Sequence, residues 1–269
     1  MNLIKSEWIK LSSTKALWAT SILVVLFSVL FALLMGLGTG VNLNDEELMK
    51  DPELYAATVA SISSTQAFTG LTAFGLIVII IQACMMVTSE YGNGSVKTTM
   101  LGTPSRWPVP VAKFSVYGVI AAVLALVSQV LSLLTMRWML SMRVEDKQLL
   151  DPLSFSADGV WREIGMNVVY CVLVVLMTIG VGYLIRHTAG AISLMVMWIL
   201  IVEGILIGFI PWVKDWLPPY MPFKNMDAAV SGTDIADAPW GHTGSLIYFI
   251  AWAVVIFVAG VIVLRKRDA

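Results

Sequence analysis

The residues that usually carry chemistry are few in this sequence, and their spacing excludes most enzyme classes. Cys84 and Cys171 both lie in apolar runs, and the chain has no Cys-x-x-Cys pair and no His-rich tract. We therefore predict two buried thiols, with neither a zinc site nor a disulfide framework. The H-E-x-x-H and G-x-S-x-G signatures of metalloproteases and hydrolases are also missing. We expect no catalytic activity and no cofactor or metal in this chain.

One segment faintly resembles a phosphate-binding loop. Residues 94–98 read GSVKT, whereas a true phosphate loop reads G-x-x-x-x-G-K-[ST], and the sequence contains no Gly-Lys dipeptide. We therefore expect that this chain does not bind ATP by itself.

Composition indicates an integral membrane protein that must fold from helices. The chain is 58% hydrophobic and 13% charged, against roughly 45–50% and 25% in soluble proteins. Its net charge of −1 excludes a globally basic nucleic-acid binder. A membrane helix needs about 20 apolar residues to cross about 30 Å of hydrocarbon. The sequence offers six such stretches and predicts an all-α polytopic protein with one membrane domain, 1–269. The predicted spans lie near residues 17–38, 66–88, 114–136, 164–185, 189–210 and 244–264.

The distribution of Lys and Arg predicts that both termini are cytoplasmic. With the N-terminus inside, the cytoplasmic segments hold ten basic and three acidic residues, and the longer outside segments hold seven basic and fourteen acidic residues. Basic residues accumulate on the cytoplasmic side of membrane proteins. We expect a multi-pass protein of the plasma membrane that contacts the lipid bilayer.

The segments at the two membrane faces each allow two interpretations. Residues 1–16 predict a short interfacial helix with Ile4, Trp8 and Leu11 on one face; alternatively they are a charged flank that only fixes topology. Residues 211–243, on the outside, carry aromatic side chains among prolines and charges, which suits short helices or re-entrant turns. That segment either caps an exit route or packs over the bundle.

The cytoplasmic loop at residues 89–113 is the most informative connection. Gly92 and Gly94 allow a tight turn, residues 95–101 are long enough for two helical turns, and three prolines follow. A compact helix held between two membrane helices could transmit a push. The same composition also suits a solvated connector.

Glu203 is the only acidic residue inside a predicted span. A charge at mid-membrane costs roughly 2.5–3.5 kcal/mol on insertion scales, so the side chain must face protein or water, or be protonated. One hypothesis is contact with a substrate or with a second subunit. The other is a protonated carboxyl bonded to a neighbour such as Gln129, Gln82 or Asn167.

Over its full length the chain resembles the permease subunits of type-2 ABC transporters, the exporter-like class with six spans per subunit. The opening SEWIKLSSTKALW is similar to the N-terminal connecting helix of that class. Many bacterial members show E-Y-x-x-G-x-[IV]-[RK]-T-T, then a Pro and an Arg, then Ala-Lys before the third span. The matching residues here are Glu90, Tyr91, Gly94, Lys97, Thr98, Thr99, Pro104, Arg106 and Lys113.

The resemblance implies a half-transporter. Two permease copies, identical or related, would pair with two copies of a separate subunit that binds ATP and Mg. The loop at 89–113 would be the coupling helix that contacts this subunit, and spans two and five would place Gln82 and Glu203 along the path or at the permease–permease contact. The implied activity is export of a lipid, peptide or hydrophobic drug. The expected coupling residues are Glu90, Tyr91, Gly94, Val96, Lys97, Thr98, Met100 and Arg106.

Two other function classes remain open from the residues alone. An ATP-independent channel or secondary transporter would need ionisable relays within the spans, for which one glutamate is thin support. A membrane sensor or immunity protein that sequesters a peptide without turnover is the other alternative.

The topology can be tested with single cysteines in a chain that lacks Cys84 and Cys171. A cysteine at Ser231 should react with a membrane-impermeant thiol reagent in intact cells, and one at Ser105 should react only after permeabilisation. The basic asymmetry of the loops is the physical reason. Labelling of the Ser105 position in intact cells would show that the orientation is reversed.

Overall fold

The computed structural model describes residues 2–96, 106–206, 209–210 and 216–267, and every regular element in these ranges is helical. Two helices contain a change of hydrogen-bonding pattern that matters below. Helix α5 passes through a π-helical turn, and α8 is α-helical at first and then π-helical. The helices are α1 Asn2–Ser12, α2 Lys15–Asn42, α3 Glu46–Lys50, α4 Pro52–Ala60, α5 Ser64–Gly92, α6 Pro108–Ser141, α7 Val160–Ile185, α8 Thr188–Met197 with Trp198–Leu206, α9 Pro222–Ser231 and α10 His242–Arg267.

Six of the described helices, α2, α5, α6, α7, α8 and α10, are long and apolar enough to cross a membrane. They coincide with the six predicted spans, so the prediction of an all-helical, multi-pass membrane protein is confirmed. The largest difference is at α6, which begins at Pro108 and not near residue 114. Pro108 and Pro110 therefore lie in its first turn, where a missing N–H costs no helical hydrogen bond.

The chain divides into two compact units, and four spanning helices, α2, α5, α6 and α7, contribute residues to both. Unit 1 comprises residues 1–18, 79–122 and 169–269, and unit 2 comprises residues 19–78 and 123–168. Each unit is therefore described by itself. Cys84 and Cys171, both in unit 1, are buried free thiols as predicted.

In unit 1, α7 and α10 approach so closely that only glycine fits between them. A Cβ on Gly180 would lie 2.6 Å from the carbonyl oxygen of Ile256, and a Cβ on Gly260 would lie 2.5 Å from the carbonyl oxygen of Gly180. Between helices in lipid the apolar environment supplies no hydrophobic driving force, so close backbone packing is a main source of attraction. The pair Gly180–Gly260 thus fixes how α7 and α10 cross.

Unit 2 combines an apolar core with polar pairs. Leu133, Met136 and Leu140 of α6 pack in a buried cluster with Phe68 of α5 and Ile164 of α7. Two polar contacts accompany this core. They are the hydroxyl of Ser64 donating to the Glu163 carboxylate and the amide of Asn167 donating to Gln129 Oε1 at 3.0 Å.

The segment between the fifth and sixth spanning helices contains short helices, as predicted for part of residues 211–243. A 3₁₀ turn, Pro218–Tyr220, precedes α9, and residues 211–215 lie outside the described part of the chain. Asp234 Oδ1 accepts a hydrogen bond from the backbone N–H of His242 at 2.6 Å. Asp234 thereby satisfies an unpaired N–H at the start of α10.

Replacement of Gly180 by Ala should destabilise the protein by roughly 1–3 kcal/mol, because the new methyl group overlaps the backbone of α10. The measurement is the thermal unfolding midpoint in one detergent. Gly165→Ala is the matched control, since it lies on the same helix and a Cβ there meets nothing within 4 Å. Equal midpoints for the two variants would disprove the close contact.

Candidate functional site

Helix α1 presents an acidic side chain, and not an apolar one, as its central buried group. Glu7 is 2% exposed and Leu11, one turn later, is 5% exposed. Ile4 and Trp8 are each 49% exposed. The helix predicted here is present. Of the three residues predicted to share one face, Leu11 is buried beside Glu7, while Ile4 and Trp8 are exposed. The exposed Ile4 and Trp8 suit contact with lipid at a membrane surface.

The partner of Glu7 is Lys113 in the second turn of α6. The Lys113 ammonium donates to Glu7 Oε2 at 2.7 Å, to Glu90 Oε1 at 2.8 Å and to the Met86 carbonyl at 3.3 Å. A lysine has three N–H donors, and all three are used. The side chain of Lys113 is 1% exposed, so one buried cation joins α1, the end of α5 and the start of α6.

Lys10 completes a charged cluster, defined here as Glu7, Lys10, Glu90 and Lys113. Its ammonium donates to Glu7 Oε1 at 2.9 Å and to Glu90 Oε1 at 3.3 Å. Two cations thus face two carboxylates. Compensation of this kind is required because an unpaired buried charge is strongly destabilising.

The electrostatics at Glu7 and Lys10 favour the ionised form of each of these two side chains. Burial alone would raise the pKa of Glu7, but Lys113 and Lys10 outweigh burial and hold the pKa below its usual 4.5. Burial likewise opposes protonation of Lys10, yet Glu7 and Glu90 raise its pKa. The stabilisation from Glu7 is therefore present above pH 4.5 and is lost as the pH falls through the lowered pKa.

Tyr91 follows Glu90 and contacts a different helix. Neighbouring residues of an α-helix point about 100° apart, so Tyr91 turns away from the charged cluster toward the end of α7. Its ring meets Tyr183 edge to face at 6.4 Å, and the Arg186 guanidinium lies 5.1 Å from its centre. Arg186 also donates to the Val263 carbonyl of α10 at 3.3 Å.

The predicted coupling loop is described only at its two ends. Gly94 has a φ of +69°, the left-handed conformation that glycine adopts without strain. Val96, which follows, is 9% exposed, so its side chain packs within the chain. At the other end Arg106 has a φ of +55° and donates to the Arg265 carbonyl at 3.5 Å. The predicted coupling residues Lys97, Thr98 and Met100 lie outside the described residues.

An open cavity of about 480 Å³ lies against the charged cluster. All four charged residues line it, together with polar groups of the α5 end such as Ser89 and Asn93. Gln82, two turns earlier on α5 and 2% exposed, also lines this cavity. The structure thus places Gln82 beside the charged cluster.

Glu203 has partners that the sequence did not predict. Its carboxylate, 3% exposed, accepts from Trp198 Nε1 at 2.6 Å and from the backbone N–H of Lys224 at 2.8 Å. The prediction of a bond to Gln129 or Asn167 is wrong, because those two bind each other in unit 2.

The local geometry explains both contacts of Glu203. Residues five apart on an α-helix point about 140° away from each other, but Trp198 and Glu203 lie in the π-helical part of α8, whose wider turn brings them together. Lys224 lies in the first turn of α9, where N–H groups have no helical acceptor. Met221, the N-cap residue, makes no side-chain cap, so the Glu203 carboxylate takes that role and pins α9 to α8.

Comparison with known protein families matches residues 47–269 to a family described as "Protein of unknown function (DUF2705)". The match covers most of the chain. The chain belongs to this family. A search of curated proteins gives no match. The DUF2705 match includes Glu90, Lys113 and Glu203 but not α1, which supplies Glu7 and Lys10.

Loss of the buried cation should unfold the cluster. Lys113→Met leaves Glu7 and Glu90 with Lys10 alone, and breaking a buried ion pair on one side costs roughly 3–5 kcal/mol. We expect a large fall in the thermal unfolding midpoint, and a partial recovery in the double variant Glu7→Gln/Lys113→Met, which removes one uncompensated carboxylate.

Lys50→Met is the control, since Lys50 is exposed on the short helix α3. If Lys113→Met unfolds at the same temperature as Lys50→Met, the cluster does not stabilise the fold.

Proposed function

We propose that this chain is the permease subunit of a type-2 ABC exporter, in which a separate subunit hydrolyses ATP. The observation that carries the proposal is the ion pair between Glu90 and Lys113, because it joins the two helices that flank the proposed coupling loop. A segment that transmits a push needs both ends fixed to the elements it moves. Here both ends are held, and Glu7 ties them to α1 as well.

The contacts of Glu90 and its neighbours at the end of α5 could transmit a displacement of the loop to other helices of unit 1. Glu90 binds α1 and α6, while Tyr91 stacks under Arg186 at the end of α7, which in turn binds α10. The Thr88 and Thr188 hydroxyls share a hydrogen bond of 2.7 Å that adds α8. A displacement at the start of the loop would therefore reach α1, α6, α7, α8 and α10 through these contacts.

Local helix geometry also supports the proposal. In the resemblance, spans two and five line the transport path, and these are the helices α5 and α8. Each carries a π-helical segment, Leu71–Gly75 in α5 and Trp198–Leu206 in α8. Such segments occur often at functional sites in membrane and soluble helices. The proposed cargo is a lipid, peptide or hydrophobic drug, and the proposed assembly contains two permease copies and two ATP-binding subunits in the plasma membrane.

A secondary transporter is less well supported by the described contacts. Such a protein needs ionisable groups that exchange protons or ions within the membrane. The Glu203 carboxylate instead holds an indole N–H and a backbone N–H, which is a structural role.

Co-purification tests the assembly directly. The chain, tagged at a terminus and extracted from its native membrane in mild detergent, should carry a soluble protein with a phosphate loop, identified by mass spectrometry. When the two proteins are reconstituted together in vesicles of phosphatidylethanolamine and phosphatidylglycerol, ATP hydrolysis should be faster than with the ATP-binding protein alone. Purification without any ATP-binding protein would contradict the proposal.

Two variants of the loop ends test coupling within that complex. Glu90→Gln and Arg106→Ala should insert into the membrane and bind the ATP-binding subunit. The factor by which each variant accelerates ATP hydrolysis should fall roughly tenfold, because each charge-assisted hydrogen bond contributes roughly 1.5–3 kcal/mol. Glutamine keeps the shape of Glu90 in its buried surroundings.

The control is Arg162→Ala, which removes an exposed arginine from the first turn of α7. Full acceleration by both loop variants would show that residues 89–113 are only a connector.

A further inference from the structure

A second cavity in unit 1, distinct from the one beside the charged cluster, is entirely apolar. Its volume is about 170 Å³, and residues from α7, α8, α9 and α10 line it. Met177 and Val181 of α7 form its inner wall and are 2% and 4% exposed. An engineered apolar cavity of about 150 Å³ stays dry and binds benzene or xenon. The cavity therefore has room for a hydrocarbon group of about six carbons and little reason to hold water.

The rim of this cavity faces the outside of the chain. Leu194 of α8 is 47% exposed and Trp252 of α10 is 38% exposed, and both line the cavity. Most residues in the apolar windows of α8 and α10 are not buried by this chain. Because both helices are long and apolar enough to span a membrane, an acyl chain of the surrounding bilayer could reach this opening.

The cavity lies at the depth where acyl chains end. Trp198 is ten residues from the start of α8, and Trp252 is ten residues from the start of α10. At 1.5 Å per residue each is about 15 Å along its helix, or half of a hydrocarbon layer of about 30 Å.

The walls are held in place by polar contacts outside the cavity. Glu203 accepts the indole N–H of Trp198, whose ring lines one side. The same carboxylate accepts the N–H of Lys224, next to Phe223, which lines another side. The Trp198 N–H is thereby removed from the cavity surface. Apolar pockets that are formed before binding favour ligands because no ordering is needed, and Met177 and Met195 give the wall some adaptability.

We propose that this cavity binds the terminal segment of a lipid acyl chain that enters from the bilayer between Leu194 and Trp252. This site is independent of the coupling to ATP proposed above, since it needs only the chain and a bilayer. The acyl-chain site is thus separate from the polar cavity beside Glu90.

Photochemical labelling tests the proposal. The chain is placed in nanodiscs of phosphatidylcholine doped with a phosphatidylcholine that carries a diazirine near the end of one acyl chain, and adducts are located by mass spectrometry after illumination. Lipid around the protein labels exposed residues such as Val255, which is 62% exposed. Only a chain end inside the cavity can label Met177 or Val181, so we expect adducts on these two.

A neighbouring pair of variants provides the control. Ile256 lines the cavity and Val255 does not. Ile256→Phe should fill the space and reduce adducts on Met177 and Val181 by roughly tenfold or more, because it removes a preformed apolar site. Val255→Phe should leave them unchanged. The unfolding midpoint of each variant shows whether it is folded.

Adducts confined to exposed residues in the unsubstituted chain would overturn the proposal, whether the cavity is empty or covered by a second copy. Unchanged labelling of Met177 in folded Ile256→Phe would overturn it as well.

Discussion

A lysine ammonium almost without contact with solvent constrains much of unit 1. Lys113 is 1% exposed, and two carboxylates and a backbone carbonyl occupy its three donors. Those acceptors come from α1 and from the end of α5, so neither element can leave without stranding a buried charge. The charged cluster thus holds α1, the end of α5 and the beginning of α6 together.

The rest of the helix packing follows a different rule. In lipid, apolar side chains gain little by meeting one another, and close backbone approach and polar contacts carry more weight. Gly180 against α10 and Gly70 against Ser28 of α2 are examples of the first kind. Ser64 with Glu163, and Glu203 with Trp198, are examples of the second. Together they give helices fixed positions along their length, which a lever mechanism requires and a loosely packed bundle would lack.

The sequence predicts the helices well because length and apolarity alone decide whether a segment spans a membrane. It predicts the site less well. Glu7 looks like an interruption of an amphipathic face, since its partner Lys113 lies 106 positions away and no local pattern connects them. Glu203 stands out in the sequence, but its partners do not, because a π-helical turn that aligns residues five apart leaves no periodic signal. The early start of α6 is not evident from the sequence, because a proline can mark either a helix break or the first turn of a helix.

The balance of the charged cluster has an electrical meaning for a protein in an energised membrane. Moving one elementary charge through the membrane potential involves about 2.3 kcal/mol per 100 mV. Glu7, Lys10, Glu90 and Lys113 sum to zero, so a shift of the whole cluster along the membrane normal moves no net charge through the field. In the proposed transporter, a displacement of this cluster would therefore require the same electrical work, namely none, in a polarised and in a depolarised cell.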